Sequence, residues 1–322
     1  MEPFAIITLF ICFGGGIFGA AIGGLFSFIF CGFLTFAGCL VVLAGGSDFL
    51  LLQVGLGPIF GVYAGGFTSG IVASTYAAGV RKNHPSEAAK DILSPLIDTS
   101  WDVLLVGGLC AVFAQILLQI LTKIPVVNMF DCLALTIAIC ILISRLIFQK
   151  EMPWGNKESI KKIGYLKTDN FSISWVPWML PLPKMGIFGL GVGILSASLA
   201  MGTKAILDPM VADGVVSATA AFVVPLIIGW SIAAISILGL NFATGSIQKF
   251  PVWHCPALLA ALTFLYFDSI FLGAIGGIFG AYIQELMARM FYNHGSNHAD
   301  PPAFGIAVGT LILNLLHNVL IH

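Results

Sequence analysis

His294, His298 and Asp300 lie within one short polar stretch, Asn293–Pro302, in the pattern H-x3-H-x-D. Two imidazoles and a carboxylate form a donor set that zinc and other divalent cations accept. Histidines four apart share a helix face, but Gly295 and Pro301-Pro302 oppose a helix here, so a loop would have to bring the three donors together. His84, in a second Asn-His loop, is a further candidate donor. Two plainer readings use the same residues. Asp300 ahead of two prolines has the form of a helix N-cap, and the histidines could act as a pH-sensitive gate. The cofactor therefore stays unknown, with a divalent metal as the candidate.

A second group suits solute binding. Gly55-Leu56-Gly57-Pro58-Ile59-Phe60-Gly61 holds three glycines and a proline and makes a poor continuous helix. Gln53, Gly57, Pro58, Thr68 and Ser69 surround this break. The second half offers Pro251, His254, Cys255-Pro256 and a short segment ending near Asp268. Paired short or broken segments are the sequence pointer to a transporter's central site, since irregular backbone at membrane depth survives only around a cavity or inside protein.

The elements that must position these residues are membrane helices. Of the 322 residues 58 % are hydrophobic and 9 % charged, and the mean hydropathy is +1.01. A soluble domain carries roughly 25 % charge. Continuous apolar runs of about 20 residues span a bilayer as helices, and alternating β-barrel segments are not seen. The sequence thus predicts an all-α, polytopic bundle of nine to eleven spans, an integral multi-pass protein of a cytoplasmic membrane. Its partners would be the lipid bilayer and a small solute or ion. The net charge of −1 gives no basis for nucleic-acid binding.

Three regions follow: an N-terminal transmembrane half (1–148), a polar cytoplasmic linker (149–184) and a C-terminal transmembrane half (185–322). The linker carries Trp154, Trp175 and Trp178, as a segment lying on the membrane surface should. Ten of the fourteen basic residues fall in 81–90 and 145–184. The positive-inside rule places both stretches in the cytoplasm and His322 outside.

The halves share a pattern. Gly65-Gly66 leads through an apolar helix to Asn83-His84, and Gly276-Gly277 leads likewise to Asn293-His294. This predicts a two-fold internal repeat, 4–122 against 185–321, with 125–148 as an extra connecting helix and the repeats parallel. Gly19, Gly23, Gly65, Gly66, Gly276, Gly277 and Gly280 are candidate helix-packing positions, because small residues let helices approach closely in lipid. The same glycine faces could serve a homo-oligomer. Glu285 and Arg289 are spaced for an ion pair across one helical turn. The seven cysteines lie almost entirely in apolar runs without a CxxC pair and read as small buried hydrophobes.

The segment Tyr292–Ala303, with Gly57-Pro58-Ile59-Phe60-Gly61 and Ala64-Gly65-Gly66, resembles a family of prokaryotic multi-pass membrane proteins of unknown function. The resemblance runs over most of the chain and implies that the His-Asp loop and the Gly-Pro break belong to one architecture. It supplies no substrate.

No P-loop, Rossmann fingerprint, HExxH or nucleophile elbow is present, and the chain is not read as an enzyme. The leading expectation is a transporter or channel for a small solute or ion, its site between the halves near the broken segments. The alternatives are a metal-binding membrane enzyme or metal transporter using His294, His298 and Asp300, and a non-catalytic subunit of a membrane complex.

Overall fold

The computed structural model describes residues 2–167, 172–242 and 249–321, and His322 lies outside them. Every regular element among the described residues is helical. Among the described residues seven helices are long and apolar enough to cross a membrane. Three shorter passes complete the bundle: α1 (Ile6–Ile22), a broken third pass through residues 50–81, and α10 (His254–Phe267). The described chain thus traverses the bundle ten times, within the expected range.

In the first half α1 turns into α2 (Gly24–Leu43) through the single residue Gly23, at φ +87°. Only glycine adopts this conformation readily, and a Cβ there would stand 2.7 Å from the Ser94 carbonyl oxygen. The third pass is built of π-helical turns, Leu50–Gly55 and Val62–Gly66, ahead of α3 (Thr68–Tyr76) and a final π turn, Ala77–Arg81. Irregular turns leave carbonyls unpaired, which lipid would not tolerate. Side chains take them up. Thr68 Oγ1 donates to Val62 O at 2.8 Å, Ser69 Oγ to Ala64 O at 2.6 Å and Cys31 Sγ to Gly55 O at 2.9 Å. Next come α4 (Trp101–Leu121) and α5 (Cys132–Ser144), the latter extended by the π turn Arg145–Gln149.

Among its described residues the linker carries the short helix α6 (Lys157–Ile163) and a 3-10 turn, Pro177–Met179. The second half comprises α7 (Leu182–Ala212), α8 (Ala218–Ser236), the single turn α9 (Leu238–Asn241), α10, α11 (Ile270–Met287) and α12 (Pro301–Ile321). In α11, Arg289 Nε, just past the last turn, donates to Glu285 Oε1 at 2.8 Å, the ion pair that the spacing predicts.

The two loops bearing Asn-His lie on one face. Lys90 Nζ donates to Asn293 O at 3.1 Å, and the linker joins them there through Asn156 N to His294 O at 2.9 Å. This is the basic face. The N-terminus is at the opposite face, where Gln115 in the second half of α4 donates to Pro3 O at 3.2 Å.

The halves therefore make five passes each and run in opposite senses. α1 packs on α4 as α7 packs on α11, each pair through glycine: Gly16 against Gly107, and Gly189 and Gly193 against Gly277. The halves meet where α2 lies on α8 and α5 on α12. α5 and α12 are antiparallel, since Asn297 Nδ2, ahead of α12, donates to Ser144 Oγ at the end of α5 (3.2 Å), and Asn314, late in α12, donates to Met129 O ahead of α5 (2.5 Å). The repeat is thus inverted, not parallel, and 125–148 belongs to it. The sequence match paired the third pass of one half with the fourth pass of the other, because Gly-Gly pairs recur wherever helices touch. The true counterpart of Gly276-Gly277 is Gly107-Gly108, and the same spacing of 169 residues relates Asp131 to Asp300.

Of the predicted packing glycines, five meet another helix. Gly19 and Gly65 hold α1 on the third pass, Gly277 faces α7, and Gly276 and Gly280 face Thr263 and Pro256 of α10. Gly23 is instead the α1–α2 turn. Gly66 packs on its own chain, where a Cβ would lie 2.7 Å from Phe60 O.

Candidate functional site

Asp131 and Asp300 each precede a helix at the seam between the halves, and each caps it. Asp131 Oδ1 accepts from Ala134 N and Asp300 Oδ2 from Ala303 N, both at 2.9 Å. Such caps satisfy one of the free amides at a helix start. Ala134 and Ile137 on α5, and Ala303 and Ile306 on α12, then line a narrow slot whose rim includes both carboxyl groups. The slot holds only about 40 Å³, room for a water or two.

On the basic face the slot continues into a vestibule of about 360 Å³. The two cavities share Phe28, Phe67, His254 and Asp300. Ile92 from the first polar loop and Trp175 and Trp178 from the linker wall the vestibule. Trp178 Nε1 is anchored on Phe250 O at 2.8 Å, and Trp175 N on Asn293 Oδ1 at 3.2 Å. Part of the linker expected on the membrane surface therefore folds inward as a wall.

His254 sits where vestibule and slot meet. It is 4 % exposed, and its ring lies 4.8 Å from that of Phe28. Its Nδ1 is buried without a hydrogen-bond partner. Lys90 enters from the first loop. Its ammonium group stands 4.4 Å over the Tyr292 ring and donates to Asn293 O. Burial, reinforced by nearby Arg145, pushes the Lys90 pKa down to about 8, against the pull of Glu151.

The other predicted binding residues lie elsewhere. Gly57 and Pro58 shape the break, where a Cβ on Gly57 would meet Gln53 Cα at 2.5 Å. The Thr68 and Ser69 hydroxyls are committed to backbone carbonyls. Asp268 is an exposed residue in the left-handed conformation at the end of α10. None of these, nor Gln53, lines the vestibule or the slot.

The structure does not bring the three metal candidates together. His298 Nε2 faces Asp300 Oδ1 at 3.4 Å, while His294 turns to the linker, its Nδ1 2.8 Å from Ser159 Oγ and its Nε2 3.3 Å from Gly164 O. His84 is paired with Ser74 Oγ at 3.0 Å, and burial lowers its pKa. Among the described residues no three His, Cys, Asp or Glu side chains gather as a metal site. Asp300 acts as the N-cap that its two following prolines indicate.

Sequence reasoning assigns no role to Asp131 or Lys90, which the fold brings to the slot and the vestibule. The Asp-x-x-Ala-x-x-Ile pattern repeated at 131 and 300 was the available signal.

A family model matches the chain twice, over residues 1–160 and 156–321, and is described as a family of unknown function, DUF7973. The chain belongs to DUF7973. One DUF7973 copy ends after α5 and the next begins in the linker, so each copy holds five passes and the two copies correspond to the inverted halves. Comparisons with curated proteins and with solved structures found no match.

Proposed function

We propose that the protein is a secondary transporter of a small solute, working by alternating access between its two inverted halves. The observation that carries this reading is the slot lined by equivalent pairs, Asp131 with Asp300, Ala134 with Ala303 and Ile137 with Ile306. A path built on a pseudo-two-fold axis can exchange its open and closed ends when the halves trade conformations. In this conformation the vestibule opens on the basic face, which the positive-inside rule places in the cytoplasm.

The packing favours such a motion. Backbone contact through glycine makes α1–α4 and α7–α11 stiff units; of the seams between the halves, α2–α8 has such a contact at Gly32, against Ser231, Ala234 and Ile235, and α5–α12 has none among the described residues. Rocking at these seams would close the vestibule behind Phe28 and Phe67 and open the Asp131 end. A channel would need a continuous path, and the slot is too narrow for one here.

The test is uptake into proteoliposomes of a panel of small labelled solutes covering cations, carboxylates, amino acids and neutral compounds. Saturable uptake with counterflow supports the transporter. Folded protein with no uptake of any class would favour the non-catalytic subunit.

A further inference from the structure

We infer that the vestibule is a binding site for a small monocarboxylate with a flat apolar body, its carboxylate held by Lys90. The inference rests on the transporter reading for its direction of use and on the vestibule alone for its chemistry.

Charge decides the sign of the ligand. The carboxyl group of Asp300 is already taken on one oxygen by Ala303 N and faces His298 on the other. Among the described residues no other Asp or Glu lines the vestibule. The Lys90 ammonium group has only a carbonyl and an aromatic face, and it forms no ion pair among the described residues. A partly buried cation whose direct contacts are neutral, with only Arg145 and Glu151 as more distant charges, gains most from a carboxylate, whose charge-assisted hydrogen bonds are about twice as strong as neutral ones.

The walls decide the rest. Phe28, Phe67, Ile92, Trp175 and Trp178 present an apolar, mostly aromatic surface, which suits a planar body. The volume of about 360 Å³ falls at the lower end of ligand pockets. At the deep end the unpartnered Nδ1 of His254 is a buried polar atom that a native structure seldom leaves unsatisfied. A polar substituent opposite the carboxylate would reach it. A sugar is a poor fit, because the exposed lining is mostly apolar.

The experiment is calorimetric titration of the purified full-length protein in detergent with benzoate, benzyl alcohol and benzylammonium. Benzoate is expected to bind saturably, benzyl alcohol more weakly, and benzylammonium not at all. Lys90→Gln should weaken benzoate about tenfold or more, Lys90→Arg should retain it, and Lys204→Gln on an exposed helix face should leave it unchanged. If Lys90→Gln does not fold, Leu93→Trp, at the exposed rim of the vestibule, should block benzoate instead. The inference is overturned if benzoate does not bind, if benzylammonium binds better, or if folded Lys90→Gln binds benzoate as the parent does. Solute uptake without benzoate binding would defeat this inference alone. Benzoate binding with no transport of any solute would defeat the transporter alone.

Discussion

Asp131 and Asp300 stand 169 residues apart in the chain, and each accepts the amide of the third residue following it at 2.9 Å. The equivalence is local as well as global: same residue, same cap, opposite ends of one slot. Removing either cap should therefore cost a similar amount, with Asp300→Ala also losing the contact to His298. Asp131→Ala and Asp300→Ala are each expected to lose about 1 kcal/mol, whereas the Asn variants, which still cap, should lose only a few tenths. Thermal unfolding in detergent measures this. A large inequality between the two Ala variants would contradict the symmetry of the caps.

Arg145 pins the second loop to the end of α5. The side chain is fully buried and donates from Nε to Asn297 Oδ1 at 2.7 Å and from Nη1 to Pro153 O at 2.6 Å. Arg145→Ala would strand these acceptors and is expected to cost about 3 kcal/mol or more. Because Pro153 belongs to the linker, the variant should also become sensitive to protease within 149–184. Limited proteolysis that finds the linker as resistant as in the parent would count against this anchoring.

Glycine substitutions should separate packing from lipid exposure. A Cβ on Gly19 would collide with the Gly65 carbonyl oxygen, a backbone atom that cannot step aside. Gly19→Ala should cost about 1–3 kcal/mol through overpacking. Gly191, also inside a helix, has nothing within 4 Å of its Cβ position, and Gly191→Ala should be neutral or stabilising by up to about 1 kcal/mol. Unfolding midpoints of the two variants compare them directly.

Lys90 gives the protein a pH dependence. Its folded pKa of about 8 lies below the ordinary 10.5, so between these values the unfolded chain binds the extra proton. Stability must then rise with pH across that window and be insensitive to this group below it. The charged groups that set the shift are Arg145, which lowers the pKa, and Glu151, which raises it; Tyr292 and His298 complete its surroundings. The difference in unfolding midpoint between the parent and Lys90→Gln should grow in favour of the parent from pH 8 to 10. A constant difference would mean that Lys90 is not desolvated.

Much of the architecture was legible because it follows from composition and period. A 9 % charged chain with long apolar runs has no soluble solution, and glycines spaced four apart along α11 do meet α7 and α10. The sense of the repeat was not legible in the same way. Gly65-Gly66 and Gly276-Gly277 look alike because both pack helices, although they occupy different passes. Asp131 and Asp300 carry the correct correspondence, but a single Asp at a helix start is what any cap looks like. Lys90, Trp175 and Trp178 become site residues only through the folding of two loops against each other, which no local pattern encodes. The hydroxyls of Thr68 and Ser69 have the chemistry of solute ligands, but the broken backbone around them needs those donors first.

The central claim is that one slot is reached alternately from both faces, and cysteine accessibility tests it most directly. Ile306→Cys, made in a protein whose seven native cysteines are replaced, would be treated in sealed vesicles of each orientation with a membrane-impermeant thiol reagent. Labelling from the basic face and, more slowly, from the opposite face is the predicted result, with both rates changed by a transported solute. A residue that stays unlabelled from both faces would mean a dry, static seam, and the transporter reading would fall.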